Sequence, residues 1–320
     1  MLDYLNLLSS PTMVSDTDEE ILLKPFHHIE DNPGKGTRTL LLQGFNKWFK
    51  IPQGQLNVII QITNMLHNAS LLLDDIQDNS DLRRGKPIAW TINAANHVVE
   101  LAHQSVESLG CYITGKYSID DPTLTKCSLQ KAELINLYAG QGIEIVWRDT
   151  SRCPTEKEYV DMANKKTSGL FRLAIRLLIA CSSKCSSPPS SYITLANLIG
   201  VYFQIRDDLL NLISKEYSDA KGFAEDLEEG KFSFPIIHGI NADISDNRIL
   251  ETLRQRPKAS GPKYDIIEYL KCNTRSFEYT VDSLEHLESL IQKEMAALEP
   301  NCILENIVSK LHVDKDKLGI

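Results

Sequence analysis

Two groups of aspartates stand at spacings that suit metal binding. Asp74, Asp75 and Asp78 lie at positions i, i+1 and i+4, so Asp74 and Asp78 share one face if the segment is helical. A second pair, Asp207 and Asp208, ends an apolar stretch much later in the chain. Clustered carboxylates repel one another unless a cation joins them, and magnesium favours such ligands together with phosphate oxygens. The two groups therefore predict a magnesium site for a diphosphate substrate.

Taken alone, each aspartate group is a weak signal. The chain has 43 acidic residues among 320, so a solvated acidic helix end would give the same pattern. The surroundings favour a functional interpretation, because Leu71–Leu73 and Ile76 make the first segment mostly apolar and the run Ile199–Ile205 precedes the second pair. Acids placed in such helices are costly without a metal or another partner.

Basic and polar side chains near the aspartates are candidates for holding the diphosphate. Arg83 and Arg84 follow the first group, and Lys35 and Arg38 belong to a GKGTR segment. Each of these residues alone is more often an ordinary surface charge. The remaining cationic or hydrogen-bonding candidates are Lys166, Lys221, Lys231, His67 and Gln204.

The elements that must position these residues are predicted to be helices. The thirteen prolines fall mostly between long stretches that carry apolar residues at helical spacing, which indicates an all-α fold. We expect helices over Gln55–Asp78, Thr123–Arg148 and Tyr192–Ile213, and a loop at 182–191. Thr155 and Glu158 form a capping-box pattern that places another helix start just after Pro154.

Composition excludes several classes of protein. A net charge of −9 argues against a general nucleic-acid binder, which needs a basic surface. The N-terminus lacks the pattern of a targeting signal, and the apolar segment near Leu170–Cys181 contains two arginines and is unsuited to crossing a bilayer. Seven cysteines without CxxC pairs indicate a reducing compartment. We expect a cytoplasmic protein without a transmembrane segment, forming a single domain over 1–320 with a poorly ordered or loosely packed segment at 1–18.

Six blocks of sequence stand in the order found in trans-polyprenyl diphosphate synthases. They are PGKGTR at 33–38, LHNASLLLDDIQDNSDLRRG at 66–85, GQGIEIVWRD at 140–149, KKTSGLF at 165–171, FQIRDDLLNL at 203–212 and EDLEEGKFSFP at 225–235. The chain resembles this family over nearly its whole length, most closely the eukaryotic, fungal-type geranylgeranyl diphosphate synthases. The resemblance implies an all-α, isoprenoid synthase type helical bundle around a central active-site cavity, and a homodimer or higher homo-oligomer.

The resemblance also implies a role for each candidate residue. Isopentenyl diphosphate would be held by Lys35, Arg38, His67 and Arg84. The allylic diphosphate would be surrounded by Arg83, Lys166, Thr167, Gln204, Asn211, Lys221 and Lys231. Magnesium, with three ions per site when diphosphate is bound, would be ligated by Asp74, Asp78 and Asp207, with Asp75 and Asp208 in support. The catalytic group would comprise these five aspartates with Lys166 and Gln204.

The chemistry implied by the resemblance is ionisation of an allylic diphosphate followed by attack of the isopentenyl alkene. Product length would depend on what closes the pocket below Asp74, where Ala69 and Ser70 are small. The resemblance implies an aromatic pair at the positions where this chain has Val99 and Glu100, a histidine where it has Tyr138 and Ala139, and a longer connection after Arg84. We expect geranylgeranyl diphosphate as product, with C15 and C25 products left open.

Two other functions fit parts of the same pattern. A class I terpene cyclase shares the fold and the first aspartate group, but it would carry a different metal motif at Asp207-Asp208 and would not need the basic residues around Lys35, Arg38 and Arg84. A catalytically silent partner subunit of a prenyltransferase would explain the shortened connection. The intact aspartates and basic residues favour an active elongating enzyme over both.

Overall fold

The computed structural model describes residues 20, 23–24, 26–27, 29–30, 36–78, 82–83, 86–87, 97–99, 101–102, 104–105, 126–182, 187–214 and 223–315. Side chains within these ranges are described except at 78, 82–83, 86–87 and 126–130. The segment 1–18 and four candidate site residues, Lys35, Arg84, Glu100 and Lys221, lie outside the described residues.

Helices dominate the described part of the chain, which confirms the predicted all-α fold. The long helices are α1 (Thr37–Phe49), α2 (Gln53–Asp78), α3 (Lys126–Thr150), α4 (Glu156–Lys166), α5 (Ser168–Cys181) and α6 (Pro189–Ile213). They are followed by α7 (Glu225–Glu229), α8 (Phe234–Ala242), α9 (Arg248–Gln255), α10 (Ser260–Cys272), α11 (Ser276–Ala296) and α12 (Cys302–Leu311). Two strands of two residues each, β1 (Leu82–Arg83) and β2 (Lys86–Pro87), pair antiparallel with Leu82 opposite Pro87.

The local signals for helix starts are confirmed at α4 and need correction at α6. The Thr155 hydroxyl accepts a hydrogen bond from the Glu158 backbone N–H (3.2 Å), and the Glu158 carboxylate accepts one from the Thr155 N–H (2.9 Å), which completes the capping box. Helix α6 begins at Pro189, so the expected loop at 182–191 was too long. The fixed φ of proline suits the first helical position, where its missing N–H costs nothing.

Helices α5 and α6 form the centre of the bundle. Helix α6 packs against α4, α5, α7, α8 and α11, while α5 also contacts α1, α2 and α3. Most side chains of α5 are buried, among them Leu173, Ala174 and Leu177. Because α2 and α6 both lie on α5, this helix is the support that the two aspartate-bearing helices share.

Helix α2 is long and apolar enough to cross a membrane, judged by length and composition alone. The stretch Gln53–Gln77 meets the criterion of length and composition, but one such helix is weak evidence because core helices of soluble proteins pass the same test. Its residues Leu56, Ile59, Ile62 and Leu72 are buried against the rest of the bundle. Packing within the described bundle accounts for part of its apolar composition, since 39% of the apolar window is buried.

Candidate active site

Lys166, the last residue of α4, brings the first aspartate group into contact with α3. Its ammonium Nζ lies 2.5 Å from Glu144 Oε2 and 3.5 Å from Asp74 Oδ1. Three helices thus meet at one cation, since Asp74 belongs to α2 and Glu144 to α3. Asp74 and Lys166 were both predicted from the sequence, whereas Glu144 was not, although it stands in the quoted block at 140–149.

Asp208 anchors the second aspartate group. This carboxylate is 1% exposed and accepts four hydrogen bonds from four parts of the fold. The donors are Tyr159 Oη (2.5 Å), Gln204 Nε2 (3.0 Å), Lys231 Nζ (3.1 Å) and the Phe234 backbone N–H (2.9 Å) at the start of α8. A carboxylate has about four acceptor positions, so Asp208 is fully engaged within the protein.

Lys231 and Tyr159, two of the donors to Asp208, have raised pKa values, so both stay protonated and keep donating to it. Burial disfavours the charged form of Lys231, but the negative charges of Asp208 and Asp226 outweigh it and hold the Lys231 pKa well above its ordinary value. The Lys231 ammonium also donates to Asp226 Oδ1 at 3.3 Å. Burial, followed by the charge of Asp208, raises the pKa of Tyr159 far above its usual range. Tyr159 is therefore a neutral donor and Lys231 a permanent cation.

Asp207 differs from Asp208 in its exposure and in its hydrogen bonding. It lies half-buried on α6, and across the part of the chain that the structure describes it forms no hydrogen bond or ion pair. A partly exposed carboxylate without a partner among the described residues can contact a ligand. Of the two acids in the second group, Asp207 is therefore the one suited to holding a metal.

A chain of hydrogen bonds connects Asp208 to the residue after Lys166. The Thr167 hydroxyl donates to Gln204 Oε1 (2.5 Å), and Gln204 Nε2 donates to Asp208. Asn211 accepts a hydrogen bond from the Asp226 backbone N–H (3.1 Å), so it fixes the start of α7. Its predicted place beside the allylic diphosphate stays a prediction.

The residues predicted to hold isopentenyl diphosphate are described only in part. Arg38 stands in the first turn of α1, and His67 is half-buried on α2, seven residues before Asp74. For Arg83 the structure describes the backbone in β1 but not the side chain. The roles of all these residues stay predictions.

The predicted chain-length residues fall at different depths. Ala69 is fully buried on α2, and the Ser70 hydroxyl donates to the carbonyl three residues before it. Val99 is half-buried against the core, whereas Tyr138 is 45% exposed. Because Tyr138 reaches the surface, it is less suited than Val99 to closing an apolar pocket.

The described side chains fit magnesium in kind. Among them no three His, Cys, Asp or Glu residues are grouped closely enough to enclose an ion. Magnesium does not require such a cage, because it keeps several waters and binds through a few carboxylates plus phosphate oxygens. Asp74 and Asp207, both partly exposed, provide such carboxylates, and α2 continues through Asp78.

Three residues that contact the predicted site residues were not predicted from the sequence: Glu144, Tyr159 and Asp226. Each acts through a partner from another helix or loop, so spacing along the chain gives no signal for them. Glu144 and Asp226 did stand in family-like blocks, and an acid inside such a block was the one available clue.

The fold and site together define an all-helical protein of the isoprenoid synthase type, with acids on α2 and α6 and lysines beside them. A model of the polyprenyl synthetase family matches residues 19–270, and the chain belongs to this family. It is 45% identical to a geranylgeranyl pyrophosphate synthase of Hericium erinaceus, covering 93% of each chain. It is 44% identical to a geranylgeranyl pyrophosphate synthase of Mucor circinelloides f. lusitanicus, over 92% of this chain and 94% of the relative. An IDS-like terpene synthase of Melampsora lini is 40% identical, over 93% and 92%. The family resemblance inferred from the sequence is thereby confirmed.

Proposed function

We propose that the protein is a trans-prenyltransferase that elongates allylic diphosphates with isopentenyl diphosphate and releases geranylgeranyl diphosphate. The observation that carries this proposal is the meeting of Lys166 with Asp74, a cation and a partly exposed carboxylate, in a chain about 45% identical to a geranylgeranyl pyrophosphate synthase. Dimethylallyl, geranyl and farnesyl diphosphates are the proposed allylic substrates.

The protein's own residues prepare the allylic substrate for ionisation. Lys166 and Lys231 are cations that the fold already orients, so they stabilise negative charge on the diphosphate without further rearrangement. Asp74, Asp78 and Asp207 would hold magnesium, with three ions proposed per site, and the bound metal would supply additional Lewis-acid stabilisation of the same group. Thr167 and Gln204 would contact the same diphosphate through their hydroxyl and amide groups.

The reaction then follows from the loss of diphosphate. The allylic C–O bond breaks, its electron pair leaves with the diphosphate, and a carbocation remains. The alkene of isopentenyl diphosphate attacks this cation and forms the new C–C bond. The proton lost in the last step goes to the released diphosphate, so no side-chain nucleophile is needed.

Terpene cyclisation is the second candidate, because a relative named IDS-like terpene synthase is 40% identical over most of the chain. A cyclase would consume a single allylic diphosphate and would not need a site for isopentenyl diphosphate. The basic residues Lys35, Arg38 and Arg84 favour elongation over cyclisation. A catalytically silent partner subunit, the third candidate, would bind an active prenyltransferase and turn over no substrate itself.

One assay distinguishes the three candidates. Purified protein with magnesium is incubated with isopentenyl diphosphate and each allylic diphosphate, and diphosphate release is measured. Elongation predicts release only when both substrates are present, and chromatography of the dephosphorylated product against C15, C20 and C25 alcohols gives its length. Release from a C20 diphosphate alone supports a cyclase, and no release under any condition supports a silent subunit. Asp207→Asn is the control for release that depends on this site.

The proposal extends to the state of the protein in the cell. A single prenyltransferase domain over 1–320, a homodimer or higher homo-oligomer and a cytoplasmic location accompany the proposed activity. Size-exclusion chromatography with light scattering tests the assembly, and a monomer at working concentration would contradict it.

A further inference from the structure

Helices α4 and α5 are separated by a break of one residue that carries candidate diphosphate contacts. Lys166 ends α4, Ser168 begins α5, and Thr167 stands between them as the cap residue of both helices. The positions of the Lys166 ammonium and the Thr167 hydroxyl depend on how this junction, residues 166–168, sits against its neighbours.

On one helix, α3, the junction rests against a glycine. A Cβ atom added to Gly140 would lie 2.7 Å from the Lys166 backbone nitrogen and 3.0 Å from its Cα and Cβ. A carbon placed 2.7 Å from a backbone nitrogen has no room, so a side chain at 140 would have to push the two helices apart. The absence of a side chain at Gly140 therefore sets the distance between α3 and Lys166.

A second glycine, Gly200 on α6, contacts the other end of the junction at Ser168. A Cβ atom added to Gly200 would lie 2.2 Å from Ser168 Oγ and 2.7 Å from Ser168 Cα. Ser168 is fully buried, and its hydroxyl donates to the Asn197 carbonyl on α6 at 3.2 Å. The junction is thus in backbone-close contact with two helices at once.

Each glycine is followed one helical turn later by the residue that binds the junction's side chain. Glu144, four residues after Gly140, accepts the Lys166 ammonium at 2.5 Å. Gln204, four residues after Gly200, accepts the Thr167 hydroxyl at 2.5 Å. Residues four apart share a helix face and are about 6 Å apart along the axis. On each helix, therefore, the glycine that contacts the junction backbone and the residue that accepts a hydrogen bond from the junction lie on the same face.

The junction has little freedom to move away from a new side chain. Arg172 on α5 donates from Nη1 to the Asn164 carbonyl (2.7 Å) and to Asn197 Oδ1 (3.0 Å). Its Nε and Nη2 both donate to the buried Glu133 carboxylate on α3 (3.0 and 2.9 Å). This buried arginine connects α3, the end of α4, α5 and α6, so a displacement at Lys166 would strain several hydrogen bonds.

We propose that Gly140 and Gly200 are positioning residues for the reaction, and that they seat the α4–α5 junction so that Lys166 and Thr167 face the allylic diphosphate. The inference rests on the proposed function, since it assigns Lys166 and Thr167 to that substrate. Neither glycine touches substrate; each acts by fixing the backbone from which a contacting side chain extends.

Gly142 provides a matched control for Gly140. It lies on the same helix two residues later, and an added Cβ there would meet nothing within 4 Å. Gly140→Ala and Gly142→Ala are the same chemical change with the same gain in helix propensity. Any difference between the two variants therefore reports on the contact with Lys166.

The experiment measures kcat and both KM values for wild type, Gly140→Ala, Gly142→Ala and Gly200→Ala. Misplacing a contact group by about 1 Å costs on the order of a hundredfold in rate, so we expect kcat/KM for the allylic substrate to fall at least about tenfold in Gly140→Ala and Gly200→Ala. The KM for isopentenyl diphosphate should stay within about twofold of wild type. Gly142→Ala should behave as wild type in every parameter. Magnesium-dependent binding of inorganic diphosphate, measured by calorimetry, should weaken in the same two variants.

Several outcomes would overturn the proposal. Equal kinetics of Gly140→Ala and Gly142→Ala would remove it, and so would equal losses for both substrates accompanied by a lower melting temperature, which would indicate a packing role. If Gly140→Ala and Gly200→Ala both fail to fold while Gly142→Ala folds, the two glycines have a packing role and not the proposed positioning role. If wild type binds diphosphate but shows no turnover, the proposed function fails alone and the binding comparison still decides the role of the glycines. If wild type does neither, both fail.

Discussion

Replacing each aspartate of the pair on α6 by asparagine should separate folding from ligand binding. Asp208 accepts two hydrogen bonds at Oδ1, from Gln204 and Lys231, and two at Oδ2, from Tyr159 and Phe234 N. In Asp208→Asn one of these oxygens becomes an NH2 group, and either orientation of the amide points it at two donors. The substitution also removes one of the two negative charges, Asp208 and Asp226, that balance the buried Lys231.

The magnitude follows from the burial of this group. Removing one partner of a buried ion pair typically costs about 3–5 kcal/mol when the other charge stays buried without compensation. Because Asp226 remains 3.3 Å from the Lys231 ammonium, we expect the lower end of this range, about 3 kcal/mol. A domain has a total free energy of unfolding of about 5–15 kcal/mol, so Asp208→Asn should lose about a fifth of it or more. Asp207 has no hydrogen bond or ion pair within the described residues, and Asp207→Asn should stay within about 0.5 kcal/mol of wild type.

Urea denaturation followed by circular dichroism, in the absence of magnesium, measures the free energy of unfolding. Asp265→Asn, at an exposed position on α10, controls for the loss of one charge. A second measurement adds magnesium and inorganic diphosphate, which should raise the melting temperature of wild type and not of Asp207→Asn. Equal destabilisation by Asp207→Asn and Asp208→Asn, or an Asp208→Asn protein as stable as the control, would refute this reasoning.

Three further predictions concern pH, product length and local stability. Burial lowers the pKa of His238 below 6.5 against the opposing charge of Glu156, so stability present above pH 6.5 is lost as pH falls through the lowered folded value. His238→Gln should flatten this dependence of the urea midpoint on pH, and an unchanged slope would assign it to other groups. Val99→Phe should shorten the product, and alcohol chromatography showing the same length would exclude Val99 from the pocket. Thr155→Ala should lower the free energy of unfolding by about 1 kcal/mol through loss of the α4 cap, measured by urea denaturation.

The parts of the site that depend on residue type and local spacing were predictable. Apolar spacing predicted α2 and α6, and the capping box at Thr155 predicted the start of α4. Asp74 and Lys166 were selected because acids in an apolar helix and a lysine in a family-like block both point to a charged ligand. The Lys166 ammonium lies 3.5 Å from the Asp74 carboxylate, and the roles of both residues stay predictions.

The remaining parts depend on which helices come together. Tyr159 reads as an ordinary core aromatic in the sequence, and its contact with Asp208 spans 49 positions of the chain. The close approaches at Gly140 and Gly200 are equally invisible, because a glycine inside a helix gives no indication of what lies against it. Gly142, two residues from Gly140, looks the same in sequence, yet an added Cβ atom there would meet nothing within 4 Å.

In each of the pairs Asp74–Asp75 and Asp207–Asp208, two residues of the same type lie in different surroundings. The sequence alone does not reveal this difference. Successive residues on a helix point about 100° apart, so two adjacent aspartates cannot face the same surroundings. On α2 the first acid, Asp74, is 26% exposed, whereas the second, Asp75, is 1% exposed. On α6 the first acid, Asp207, is half-buried and the second, Asp208, is enclosed by four donors. In both pairs the more accessible carboxylate comes first and the buried one follows. On α6 the fully bonded Asp208 holds the turn of helix from which Asp207 extends, so the direction of Asp207, the proposed metal ligand, is fixed by its buried neighbour.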